Sequence, residues 1–344
     1  RSAEPLEQAA SPLGLEDDLA NPPQFRSRDG RLTIDLKMAL TDVHIPSGPA
    51  KLRIYDGALP GPTWRIDAGD TIEVHLHNAM PPNPREEVVL NVPNRFNTTN
   101  LHFHGFHVSP KGNSDNVFLE IEPGQRFNYV VQVPEDHPAG TYWYHPHRHG
   151  SVSAQVSSGA AGMAIIAGTF DKVPEIVAAV ERILIIQSPV VDATGVLDDE
   201  EPIWALTSER DFLVNGQYRP RIYIREGEVQ HWRILHAADS QFMPLIAEGL
   251  ELHVIGLDGN PLPAARQQEE VDLAPGNRAD LLVKAPKAGH YTIGRPQFTQ
   301  GLQPLPEIVL ADVFVIGEND ERVAPDVPFG RDLPQGPLPQ NHIL

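Results

Sequence analysis

A chain of 344 residues is about twice the length of a typical domain, so two domains with a core each are expected. A net charge of −19 leaves no basic surplus for phosphates, which excludes nucleic acid and anionic membranes as main partners. No apolar run reaches the roughly 18–20 residues of a bilayer-spanning helix, so no membrane span is expected, and the lack of cysteine removes disulfides, zinc–thiolate sites and thiolate-bound copper.

Residues 1–29 begin "RSAEPLEQAASP" without a hydrophobic signal core and read as an N-terminal arm. Over 30–169 the runs "RLTIDLKM", "TIEVHLHN", "RFNYVVQV" and "MAIIAG" are separated by Gly, Pro, Asn and Asp clusters, the pattern of a β-sandwich or barrel. Near residue 170 "FDKVPEIVAAVE" suits a short helix or connector, after which strands resume with "RILIIQ". A second domain over 170–318 follows. From 319 to 344 five prolines between Pro325 and Pro339 and no strand pattern indicate a tail, or a linker to a missing third domain.

The two domains repeat one another. "YDGALPGPTWRIDAGDTIEVHLHN" carries Gly57 and Gly69 as "VNGQYRPRIYIREGEVQHWRILHA" carries Gly216 and Gly227. Further on, Pro123-Gly124 and Ala139-Gly140 align with Pro275-Gly276 and Ala288-Gly289, giving two copies of one Greek-key β domain. Where the first copy has "LHFHG" and "TYWYHPH", the second has "LHVIG" and "HYTIGRP". The scaffold therefore does not require the histidines of the first copy.

In a strand, residues i and i+2 share a face, so His102 and His104 project together, as do His145 and His147 around Pro146. Two adjacent His-x-His strands would present four imidazoles to one place, and Pro146 marks an edge or strand end where a metal enters. A nitrogen-only donor set suits copper or zinc and not magnesium or calcium. His149 continues the period as a fifth ligand, an orienting donor or an exposed side chain, and Asp115 is the acid nearest in sequence to the first pair. His75 and His77 share a face without a spacing that demands metal.

These motifs resemble a known family. "TNLHFHGFHV", "SDNVFLEIEPGQRFNYVVQV" and "GTYWYHPHRHGSVSAQVSSGAAGMAIIAG" are similar to the first cupredoxin domain of multicopper oxidases, the laccase-like enzymes. "WRILHAADSQFMPLIAEGLELHVIGLDGNPL" and "VDLAPGNRADLLVK" resemble the middle domain of three-domain members. The resemblance implies an all-β chain of two tandem cupredoxin-like Greek-key sandwiches, the first carrying copper motifs and the second none. It implies a trinuclear copper cluster reducing dioxygen to water at the expense of an unknown reducing substrate. His102 would then serve the type 2 copper, His104, His145 and His147 the type 3 pair, and Asp115 proton delivery. It also implies an extracellular or periplasmic location.

A complete enzyme of this kind needs four more histidines from its last domain and a cysteine-bound type 1 copper, and this chain has neither. The expectation is half a cluster on a truncated chain with poor turnover by itself. A non-catalytic copper binder or carrier is the alternative, and a zinc hydrolase ranks behind it.

Overall fold

The computed structural model describes residues 18–83, 92–198 and 210–317. The Pro-rich segment expected over 319–344, and most of the expected arm, lie outside these.

Nine strands build the first sandwich. They are β1 (Gln24–Arg26), β2 (Arg31–Ile45), β3 (Gly48–Tyr55), β4 (Thr63–Ile66), β5 (Thr71–Asn78), β6 (His102–His104), β7 (Arg126–Gln132), β8 (Gly140–His145) and β9 (Gly162–Ile166). One sheet runs β1-β4-β9-β8-β6 and the other β3-β2-β5-β7. Alternation along β5, with Ile72, Val74 and Leu76 buried and His75 and His77 partly exposed, turns one face to the core. Trp64 anchors that core, stacked on Tyr144 at 3.7 Å between ring centroids.

A 3₁₀ turn at Phe170–Lys172 and a short helix at Pro174–Ala178 join the halves, where the sequence predicts a helix or connector. Beyond it come β10 (Val180–Gln187), β11 (Leu213–Val214), β12 (Arg221–Arg225), β13 (Val229–His236), β14 (Met243–Ile246), β15 (Glu251–Leu257) and β16 (Asn260–Gln268). The remaining strands are β17 (Glu270–Leu273), β18 (Arg278–Lys284), β19 (Gly289–Arg295), β20 (Phe298–Gln300), β21 (Gln303–Leu305) and β22 (Ile308–Ile316). The sheets of this sandwich run β11-β10-β13-β18-β15-β16 and β12-β22-β19-β14-β17.

The internal repeat is visible in strand pairing. β2–β5 and β10–β13 are parallel, β5–β7 and β13–β18 antiparallel, β4–β9 and β12–β22 parallel, β8–β9 and β19–β22 antiparallel. The chain is all-β with a cupredoxin-like repeat, as expected. One alignment is corrected: "LHVIG" lies in β15, which pairs with β16 and β18, whereas the strand placed like β6 is β14, beside β19. A short string match does not reveal which sheet a strand joins. The counterpart of the opposed pair His102 and His145 is Ile246 and Gly294, so the second copy still lacks imidazoles there.

Part of the expected arm is also built into the fold. Asp18 bridges to Arg221, Asn215 Nδ2 donates to the Ala20 carbonyl, and β1 pairs with β4. Residues 18–26 thereby supply partners to edge strands of both sandwiches, which otherwise leave unpaired backbone groups.

The two sandwiches are packed together through β8, β9, β10 and β13. Trp143, Ala161, Met163 and Ile165 meet Ile183, Ile185, Leu235 and Ala237 in one apolar cluster. Beside it Asp280 Oδ1 accepts from Thr141 Oγ1 at 2.9 Å and from Arg233 Nη1 at 2.9 Å, and Arg65 pairs with Glu181. Burial opposes the Glu181 carboxylate, but Arg233 and Arg65 override it and hold its pKa below the usual range. At Gly140 a Cβ would lie 2.5 Å from the Gly259 carbonyl oxygen, so the absence of a side chain permits this approach.

His236, at the end of β13, ties down the loop that follows. Its Nε2 faces the Gln241 carbonyl at 2.7 Å, and its own backbone carbonyl accepts from Gly276 N at 2.8 Å. Burial pushes its pKa down to about 4. That value lies below the unfolded reference, so the unfolded chain takes up the proton first and stability falls as pH drops from about 6.5 to about 4. At pH about 5 this one group is expected to cost about 2 kcal/mol. Urea unfolding of the unaltered chain and of His236→Leu across that range checks it: the variant, less stable near neutrality, should show the shallower decline.

Candidate metal centre

Antiparallel pairing of β6 with β8 sets the site. The register places His102 opposite His145, Phe103 opposite Tyr144 and His104 opposite Trp143. Because alternate residues face opposite ways, Phe103 and Tyr144 enter the core of the first sandwich, both fully buried. The same pleat turns His102, His104, Trp143 and His145 together onto the other face.

Donor nitrogens of His102, His104 and His145 all lie within 4.8 Å of one another. His104 Nδ1 and His145 Nε2 are 3.2 Å apart. Two nitrogens each about 2.0 Å from one tetrahedral ion would be separated by about 3.3 Å, so this pair fits a single metal. His147 is placed differently from the sequence expectation: β8 ends at His145, and Pro146, lacking an N–H, lies just beyond the ladder. The His147 backbone N–H instead donates to Asn100 Oδ1 at 2.7 Å, bringing its ring 5.0 Å from that of His102. Its Nδ1 is buried with no hydrogen-bond partner, an orphaned donor or acceptor of the kind a metal would satisfy.

His102 and His145 each have a defined second nitrogen. His102 Nδ1 lies 2.8 Å from Asp115 Oδ1, so it donates there and leaves Nε2 as the free ligand atom. Asp115 Oδ1 also accepts from Phe103 N at 3.0 Å, fixing the strand as well as the ring. His145 Nδ1 donates to the Pro146 carbonyl at 2.8 Å, which leaves Nε2 toward His104.

Burial, aided by Arg278 and the neighbouring imidazoles, lowers the His104 pKa to about 3. Burial followed by the adjacent His102 and His104 holds His145 well below its ordinary value, and burial followed by His102 lowers His147. These rings are neutral near pH 7, with lone pairs available and no proton to displace. The donor set fits copper or zinc.

His149 is exposed, packs edge-on to Phe118 at 5.6 Å and sits 6.1 Å from the His147 ring, outside the convergent group. His75 pairs with Asp35 at 3.1 Å on a different sheet. Three participants are additional to the sequence reading. Trp143 stacks on His145 at 4.0 Å, and its i, i+2 relation to that residue was the available signal. Asn100 holds His147, and Asp239, from the second sandwich, lines a cavity of about 510 Å³ with His104, His145 and His147. No local pattern in "HAADSQ" points to that last contact.

Two family models, both described as multicopper oxidase, match residues 82–170 and 193–310. The multicopper oxidase mco of Staphylococcus haemolyticus is 26% identical over 243 residues, 68% of this chain and 48% of that protein. The cell division protein FtsP of Escherichia coli is 29% identical over 282 residues, 80% of this chain and 55% of that protein. The chain thus spans about half the length of the curated relatives it matches. Among solved structures, a multicopper oxidase from Campylobacter jejuni described as a metallo-oxidase superposes with a TM-score of 0.70 at 23% identity, covering 96% of this chain and 64% of that one. The multicopper oxidase mgLAC gives 0.65 at 20% identity, with 86% and 89% covered. At such identities these structures speak to the fold.

Removing the carboxylate behind His102 tests the orientation argument. Asp115→Ala should weaken copper binding by about 10–100-fold, the usual consequence of losing a partner behind a ligand. Competition titration with a chelator measures the affinity, and circular dichroism checks that the strands persist. Unchanged affinity would show that His102 needs no such support.

Proposed function

The chain belongs to the multicopper oxidase family, and we propose that His102, His104, His145 and His147 supply half the ligands of a copper cluster that reduces dioxygen to water. The observation carrying this reading is the convergence of three imidazole donors within 4.8 Å on one sheet face, with a fourth ring beside them. His102 is assigned to a type 2 copper, and the other three histidines to a type 3 pair.

Copper bound here would supply one-electron redox chemistry and a Lewis-acidic anchor for oxygen. The protein's part is to orient the imidazoles, with Asp115 and the Pro146 carbonyl setting the tautomers of His102 and His145. Asp115 keeps the His102 Nδ1 proton and directs Nε2 outward, and it is assigned to proton delivery through the same carboxylate. Trp143 covers the rings of His104 and His145, limiting solvent and motion at those ligands.

These 344 residues contain no cysteine, so a thiolate-bound electron-entry copper has no ligand in them. We assign it, with the remaining imidazoles, to a further cupredoxin domain, so this chain by itself should turn over poorly. The reducing substrate is left open. An extracellular or periplasmic location accompanies the proposal, and among the described residues no helix is long and apolar enough to cross a membrane.

A copper-holding protein without oxidase turnover is the second reading. Similarity to a protein named for cell division favours it.

Copper titration followed by paramagnetic resonance and tryptophan fluorescence tests the assignment. One or two copper ions should bind per chain and quench emission, with quenching reduced in Trp143→Phe. Both His104→Ala and His145→Ala should lose tight binding. Failure of the unaltered chain to bind copper would overturn the proposal. Binding that persists with oxidase turnover still absent, once a complementary cysteine-bearing domain is supplied, would select the second reading.

A further inference from the structure

The corner of the second sandwich that corresponds to the histidine site holds an arginine. β19 lies between β14 and β22 as β8 lies between β6 and β9, and it ends on Arg295, one residue beyond Gly294, the counterpart of His145. Beside it is a cavity of about 290 Å³ whose walls include Phe212, Tyr218 and Val309, with Arg219 and Arg295 in the lining.

Five arginines are buried among the described residues. Four of them, Arg53, Arg148, Arg233 and Arg278, each face a carboxylate. Arg295, only 1% exposed, has neutral acceptors instead. Its Nη1 donates to Gln241 Oε1 at 2.9 Å and to the Phe242 carbonyl at 3.3 Å, and its Nη2 donates to the Pro306 carbonyl at 3.1 Å. Its Nε is buried without an acceptor. Phe212 and Phe298 hold the guanidinium at 5.4 and 5.2 Å from their ring centroids. Burial lowers its pKa to about 10, which leaves it charged at neutral pH. Among the described residues this guanidinium, withdrawn from water, has no counter-anion, which is unfavourable, and its planar fork matches a carboxylate.

Arg219 stands at the same wall with φ at +47°, a left-handed conformation disfavoured for a residue with a side chain. Its Nη2 spans both Asp312 oxygens at 3.0 Å while its Nε, also buried, has no acceptor. Asp211 and Glu307 line the cavity too, which disfavours a doubly charged ligand such as phosphate.

We propose that this cavity binds a small apolar monocarboxylate, its carboxylate on Arg295 and Arg219 and its hydrocarbon body against Phe212 and Tyr218. Nothing in this depends on copper at the first site.

Calorimetric titration of the chain with benzoate tests it, with benzamide as the neutral isostere and inorganic phosphate as competitor. Benzoate should bind saturably at one site, about tenfold or more tighter than benzamide, because a charge-assisted pair is replaced by a neutral one. Phosphate should not displace it. Arg295→Met should abolish binding and Arg219→Gln should weaken it severalfold. Should Arg295→Met not fold, the benzamide contrast and Arg219→Gln decide. The proposal is overturned by absence of saturable benzoate binding, by equal affinity for benzamide, by displacement with phosphate, or by unchanged affinity in Arg219→Gln.

Discussion

The three-residue pairing of β6 with β8 is the contact on which the histidine centre depends. Its register sets His102 against His145 and His104 against Trp143, while Phe103 and Tyr144, between them, insert into the core around Trp64. Slipping either strand by one residue would exchange the two faces, sending imidazoles into an apolar core and aromatic rings to the face the histidines now occupy. The site is therefore held by the same packing that stabilises the sandwich. Its imidazole positions inherit the rigidity of that core.

The second sandwich supplies no imidazole to the convergent group, yet it shapes the environment. By covering Trp143 and the outer face of β9, it buries the strand that carries His145 on both sides. That burial is the leading cause of the depressed pKa of His145, and Arg278 from the second sandwich adds to the depression at His104. The ion network through Thr141, Asp280, Arg233, Glu181 and Arg65 fixes how the two sandwiches meet. A loop of the second sandwich, from Ala238 to Gln241, then reaches both the histidine cavity and the arginine cavity. His236 holds that loop at its base.

Duplication explains why one half carries the histidine cluster and the other does not. Equivalent strand pairs end at equivalent corners, and the side chains there are free to diverge because backbone pairing, not their identity, maintains the ladder. In the first half the strand end presents His145; in the second that position is Gly294, and the next residue, Arg295, closes the strand. Both corners gather polar groups at a sheet end beside a cavity, one with neutral nitrogen donors and one with a charged guanidinium.

Much of this was legible in the chain itself. Alternating apolar runs gave the β class, the Pro-Gly and Ala-Gly blocks gave the repeat, and period-2 histidines gave the faces of β6 and β8, because strand geometry is local. The equivalence of β6 with β14 instead of β15 was not legible, since sheet membership is decided by hydrogen bonds between distant segments. Nor was the place of His147, which follows from Asn100 some forty-seven residues earlier. The sequence by itself determined which side chains point together along each strand and that the donors would be imidazole. Only the tertiary structure decided that the two histidine strands are neighbours, that Asp115 backs His102, and that the second sandwich buries His145. Those outcomes depend on packing between residues far apart in sequence, which no local pattern encodes.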